Sequence, residues 1–227
     1  FTDEQKAYWA FQTPVRPSLP RVKNNKWAQT PIDYFILEKL EEANLIPATK
    51  TNKRTLIRRA TFDLTGLPPT PEEISTFVSD DSPDAYSHLI DRLLGSPRYG
   101  ERWGRHWLDV ARYADSNGLD ENLSYEFAYQ YRDYVIRSMN LDKPYGEFVK
   151  EQIAGDLMPP LANKLAAEDR RRATGFLAIG PKMLAEDDPV KMQMDIIDEQ
   201  VNTLGQAFMG LTIGCARCHD HKFDPIP

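Results

Sequence analysis

Two thiols and an imidazole stand within five positions of one another near the end of the chain, in Cys215-Ala216-Arg217-Cys218-His219. Thiols three residues apart share one helical turn. They can form thioethers with the two vinyl groups of haem while the next residue projects its imidazole beneath the iron as proximal ligand. Cys-x-x-Cys alone also serves redox dithiols and half of a zinc site. A zinc site would recruit Cys215, Cys218, His219 and His221, but adjacent ligands and the lack of a second cysteine pair make that geometry awkward. A thioredoxin-like dithiol should begin a helix after a strand, and no βαβ pattern surrounds this one. A local Cys215–Cys218 disulfide stays open as an alternative. The adjoining histidine favours one covalent haem c per chain. Attachment by this route follows export, so a periplasmic or extracellular protein is expected. These are the only two cysteines in the chain, too few and too close together for a disulfide scaffold.

The haem reading leaves a sixth iron position to fill. Only eight residues follow His219, so a ligand must come from upstream, from a further segment, or not exist. His221 is too near His219 to reach the opposite face and is expected to bond a propionate or a backbone carbonyl. His88 reads as a surface histidine. His106 has Trp103, Val110 and Tyr113 at helical spacing, a mostly apolar face. It is the candidate distal ligand or acid/base, or else a core histidine satisfied by Asp109. Met139, Met158, Met183, Met192, Met194 and Met209 are possible sulfur ligands, but each reads more readily as core filling, with Met209 packed near the haem without ligating it. Arg217 and Lys222 are candidates for neutralising propionates. Asp109, Arg112, Tyr113 and Asp115 read either as a helix with an Asp109–Arg112 pair and an Asn117-Gly118 turn, or as a pocket wall with a carboxylate proton acceptor. Asp187, Asp188, Asp195, Asp198 and Glu199 lack calcium-loop spacing and read as solvated helix faces.

Helices must position these groups. Residues 33–43 carry Phe35, Ile36, Leu40 and Ala43 at helical spacing, and 54–62 follow before a Gly66-Leu67-Pro68-Pro69 stop. Thr70-Pro71-Glu72-Glu73 is a cap, a proline at the first helical position and acids in the first turn. Ser82-Pro83-Asp84 and Ser96-Pro97-Arg98 repeat the start signal. Helices are expected over 97–114, 125–140, 145–155, 168–179 and 190–210. Strand-like alternation is scarce, so the fold class is all-α: a multi-helix domain with a C-terminal haem-attachment segment. Residues 1–31, with Pro14, Pro17 and Pro20 between Trp9, Phe11 and Trp27, read as an extended arm that lays aromatics on a neighbouring domain. Residues 32–227 read as one helical cytochrome domain, truncated at its C-terminal end.

Composition excludes some functions. A formal net charge of −6 argues against general nucleic-acid binding, which needs a basic face. The basic runs 53–59 and 170–172 read as solvated helix faces. No apolar stretch approaches the ~20 residues of a membrane span. No signal peptide is visible, and the Phe1-Thr2-Asp3-Glu4 start is compatible with a cleaved leader.

Longer strings carry a resemblance. Among them are Asp63-Leu64-Thr65-Gly66-Leu67-Pro68-Pro69-Thr70-Pro71-Glu72-Glu73, Ser96-Pro97-Arg98-Tyr99-Gly100-Glu101-Arg102 and Trp107-Leu108-Asp109-Val110-Ala111-Arg112-Tyr113-Ala114-Asp115-Ser116. With Gly214-Cys215-Ala216-Arg217-Cys218-His219-Asp220-His221-Lys222-Phe223-Asp224-Pro225, they resemble the planctomycete cytochrome-associated family known as domain of unknown function 1549. The resemblance covers nearly the whole chain. It implies an exported module of a larger protein, often beside another cytochrome domain and sometimes beside carbohydrate-binding modules, and it supplies no reaction. Three readings follow. The first is a monohaem module passing electrons to or from a partner domain. The second is a haem-dependent oxidoreductase with an open sixth site, carbohydrate being its candidate substrate, its pocket shaped by His106, Asp109, Arg112 and Tyr113. The third is a non-haem structural or binding module with a Cys215–Cys218 disulfide.

Overall fold

Four helices start where a polar cap precedes a proline: Thr30-Pro31, Thr70-Pro71, Ser96-Pro97 and Asp188-Pro189. Proline's fixed φ suits the first helical turn, and its missing N–H is one that the turn leaves unbonded anyway. Thr70 and Glu73 close a reciprocal box, with Thr70 Oγ1 accepting the Glu73 N–H at 3.2 Å and Glu73 Oε2 accepting the Thr70 N–H at 2.8 Å.

The computed structural model describes residues 2–119, 121–224 and 226. Helix occupies 59% of the chain and no strand forms among the described residues, which fixes the class as all-α. The order is α1 (Asp3–Ala7), α2 (Pro31–Glu42), α3 (Lys53–Thr65), α4 (Pro71–Ser79), α5 (Ala85–Leu94), α6 (Pro97–Val110), α7 (Ala128–Asn140), α8 (Tyr145–Ala154), α9 (Lys164–Ala173), α10 (Gly175–Ala178) and α11 (Pro189–Leu204). The stretch expected as one helix over 168–179 starts four residues sooner and breaks at Thr174.

The chain divides into two compact units, Phe1–Asn52 and Lys53–Pro227. In the first, the N-terminal stretch is not wholly extended. Thr2 caps the short α1, a 3-10 turn follows over Trp9–Phe11, and Tyr8, Trp9 and Phe11 are exposed.

The second unit holds two apolar clusters. Ile57, Ala60, Phe77, Ala85, Leu89 and Leu93 join α3, α4 and α5. Ala111, Tyr131, Tyr134, Val135, Phe148, Ala173, Phe176 and Ile179 form the other, with Trp107 and Phe208 packed against it. Within this cluster Trp107 Nε1 donates to Tyr131 Oη at 2.9 Å and to Gln152 Oε1 at 3.1 Å, satisfying its only polar atom.

Two glycines bring α6 against α7. A Cβ on Gly100 would strike the Ile136 carbonyl and the Asn140 side chain, and one on Gly104 would press Ile136 at 3.4 Å. Asn140 exploits the approach: its Oδ1 accepts the Gly100 N–H at 2.7 Å and its Nδ2 donates to the Pro97 carbonyl at 3.2 Å. It thereby caps α6 from a different helix. The basic run 170–172 is mostly built in rather than solvated. Arg170 meets the buried Glu151 at 3.4 Å, Arg172 meets Asp169 at 3.0 Å, and Arg171 is exposed.

Candidate functional site

Helix α11 carries the cysteine motif on its side. At its end the backbone widens into a π turn, Gly205–Met209, and Phe208 in that turn packs on Phe176 and Trp107 with centroids at 5.1 and 5.8 Å. Gly210, at φ 66°, then reverses the chain. A left-handed residue at a helix end suits glycine, which has no Cβ to clash. The returning segment lies against Gly205, where any Cβ would strike Ile213. The Gly214 N–H donates to Asn202 Oδ1 at 2.8 Å. One 3-10 turn, Ile213–Arg217, presents the motif, and Arg217 meets Asp195 at 2.7 Å and Asp198 at 3.3 Å. The motif therefore runs antiparallel to α11, with residue 214 beside 202 and residue 217 beside 198 and 195.

Cys215 and Cys218 are exposed free thiols, not a disulfide. The Cys218 and His219 N–H groups both point to the Cys215 carbonyl, at 3.4 Å, so the two sulfurs belong to one turn. His219 is exposed, and its Nδ1 lies 2.9 Å from the Asp220 carbonyl. A carbonyl only accepts, so this contact puts the proton on Nδ1 and leaves the Nε2 lone pair for a metal. Two reachable thiols on one turn, followed by an oriented imidazole, fit the donor set of a covalent haem.

His221 does other work. Its Nδ1 accepts the N–H groups of Phe223 at 3.1 Å and Asp224 at 2.7 Å, and its Nε2 lies 2.8 Å from Thr212 Oγ1. It staples the loop through backbone amides, where a carbonyl or propionate partner was expected. Both ring nitrogens are engaged, so the four-ligand zinc arrangement is not assembled. No group of three or more His, Cys, Asp or Glu stands ready for an ion among the described residues. Arg217 is held by two carboxylates on the partly solvated face of α11. Asp195 is pulled below its usual range by Arg217 and by Lys191. Lys222 is exposed, with Nζ 5.1 Å from the Phe223 ring centroid.

Residues 31–227 match the model of the family described as protein of unknown function (DUF1549), PSCyt2. The chain belongs to this family. No curated protein and no solved structure matches it.

This PSCyt2 chain does not gather His106, Asp109, Arg112 and Tyr113 around one pocket. His106 is exposed on α6, its ring 5.3 Å from that of Trp103. The apolar face read from Trp103 and Val110 is in fact the outer one, because the glycines turn the opposite stripe toward α7. Asp109 is exposed and pairs with neither His106 nor Arg112. Helix α6 stops at Val110, and Arg112 adopts a left-handed φ of 48° that swings its side chain inward. There its guanidinium grips Glu199 of α11, with Nη2–Oε2 at 2.7 Å, and donates from Nη1 to the Phe176 carbonyl at 2.8 Å. Tyr113 donates to Asp115 at 2.7 Å, and burial together with that carboxylate pushes its hydroxyl up to about 12. A groove of about 780 Å³ is lined by Tyr125, Phe127, Tyr131, Arg171 and Thr174, and none of the four candidates lines it. Met183, Met194 and Met209 are exposed rather than core filling. Sequence reasoning read Glu199 as part of a solvated face and passed over Asn202, the two groups that tie α11 to the core and the motif to α11. With Lys191, Gln193, Asp195, Asp198 and Gln200 on the same helix, nothing local set them apart.

Proposed function

We propose that this chain is an exported module carrying one covalent haem c, held by Cys215, Cys218 and His219, and that it passes electrons to or from a redox partner. One observation supports this reading above the others: the Nδ1 contact of His219 with the Asp220 carbonyl, beside two exposed thiols on one turn. Haem bound there supplies a one-electron ferric/ferrous couple. Cys215 and Cys218 would each hold the group by a thioether, the S–H hydrogen going to the other vinyl carbon so that no oxidant is needed. The Asp220 carbonyl fixes the tautomer and aim of His219. Arg217 is committed to Asp195 and Asp198, so Lys222 is left as the free cation of the pair proposed for propionates. The compartment follows from the attachment route, and no helix among the described residues is long and apolar enough to cross a membrane.

Expression with haem-maturation machinery, with export to the periplasm, tests the reading. Denatured protein should give a pyridine haemochrome spectrum with one haem per chain that survives acid-acetone extraction. Cys215→Ala/Cys218→Ala should abolish it. Colourless matured protein refutes the proposal.

A further inference from the structure

Around α11 the faces divide by chemistry. Glu199 and Thr203 turn toward the core, while Asp195, Asp198 and Asn202 hold the motif. A third face carries Val190, Met194, Ile197 and Val201, which are 65%, 48%, 42% and 44% exposed. Their 4-3-4 spacing makes one stripe, centred roughly 100° round the helix from the motif-holding face and about 16 Å long at 1.5 Å per residue. Isolated exposed apolar side chains need no explanation, but four in line mark a surface that something apolar covers.

We infer that this stripe is the apolar wall against which the attached haem lies, an inference that rests on the haem reading above. The occupant is argued from continuity. The Cys motif is seated on the same helix over the same turns, through Gly214–Asn202 and Arg217–Asp195/Asp198. A macrocycle welded to Cys215 and Cys218 is thus tethered beside these four side chains. Water leaves apolar side chains and porphyrin faces together, which favours that contact over solvent. No other element of the described chain covers the stripe, since all four of its side chains are exposed.

The test uses the full matured chain as wild type, Ile197→Glu/Val201→Glu and, as an off-stripe control, Gln193→Glu. Three quantities are read: haem per chain after denaturation, Soret circular dichroism of the native protein, and the melting temperature of the apoprotein. Because the substituted residues are exposed, the apoprotein should melt as wild type does. Covalent haem content should also be unchanged, since the thiols are intact. Soret dichroism should fall by at least half or invert in the double variant and be retained in Gln193→Glu. Wild-type dichroism in the double variant overturns the wall while leaving haem attachment standing. So does a wild-type dimer that the double variant dissociates without changing its Soret band, which would make the stripe a self-association surface. A wild-type chain without haem overturns the attachment reading and this inference with it.

Discussion

Replacing Arg112 by alanine should be among the costliest changes outside the apolar clusters. Breaking a buried ion pair costs about 3–5 kcal/mol, whereas an exposed pair is worth about 0.2–1 kcal/mol. The Arg112 and Glu199 side chains keep only 17% and 20% exposure, which puts this pair nearer the buried limit. The guanidinium also sits 5.5 Å from the Phe176 ring centroid, a contact worth about 0.5–1 kcal/mol. We expect a loss of about 3 kcal/mol, which for a unit of this size lowers Tm by about 6–12 °C. Arg112→Gly isolates the backbone component. Glycine relieves the left-handed φ of 48°, so it should be less damaging than alanine by about 1 kcal/mol. Urea unfolding followed by far-ultraviolet dichroism reads both, and a cycle with Glu199→Ala should give a coupling of about 1.5–3 kcal/mol. A loss below 1 kcal/mol in Arg112→Ala, or additive effects in the cycle, would refute the latch.

Gly100→Ala should cost about 1–3 kcal/mol by forcing α6 away from the Ile136 carbonyl and from Asn140, seen as a lowered melting temperature with weaker near-ultraviolet dichroism. Asp169 tests the acid limb. Burial alone would raise its carboxyl pKa, but hydrogen bonds from Arg137 and Arg172 outweigh that and hold it below its ordinary value. A depressed folded pKa gives stability that is present above about pH 4 and lost as pH falls further, so Asp169→Asn should show a shallower acid loss in urea titrations at pH 2–5. Asn202→Ala removes the acceptor of the Gly214 N–H and should speed exchange of that amide by about threefold to tenfold, with little change in global melting.

The helices were legible because their signals are local. A cap before a proline, acids in the first turn and apolar residues at helical spacing lie within a few residues of one another; α4 and α6 start where those signals put them, while α2 starts at Pro31, two residues before the span expected for it. The side of α6 that faces inward was not legible. Large apolar residues such as Trp103 mark a buried face only when helices pack through their side chains. Here Gly100 and Gly104 let α7 come in close, so the small residues carry the contact. Arg112 was misassigned for a different reason. Its partner Glu199 lies 87 positions away, and a left-handed turn after the helix cancels the Asp109 pairing that helical spacing suggests. The cysteine motif stood out by residue type, but the Asn202 and Asp195/Asp198 contacts that seat it depend on a π turn and a reversal at Gly210 that leave no periodic trace.

Neither apolar cluster includes a residue of the motif, and the groups that hold it to α11 are polar: an amide to Asn202 and a guanidinium to two carboxylates. The core therefore has no need of the site in order to form, whereas the site needs the core, through Phe208 and through the Glu199 grip on Arg112. That asymmetry gives an order of events. A chain whose thiols stay exposed after folding offers them to surface chemistry without being unfolded. It also separates two kinds of damage. A change at Arg112 loosens α11 from the core and must carry the motif with it, while a change at Asn202 loosens the motif from α11 and leaves the core intact. Melting temperature and local amide exchange should accordingly dissociate between the two variants, and parallel movement of both in each would mean that the motif is part of the core after all.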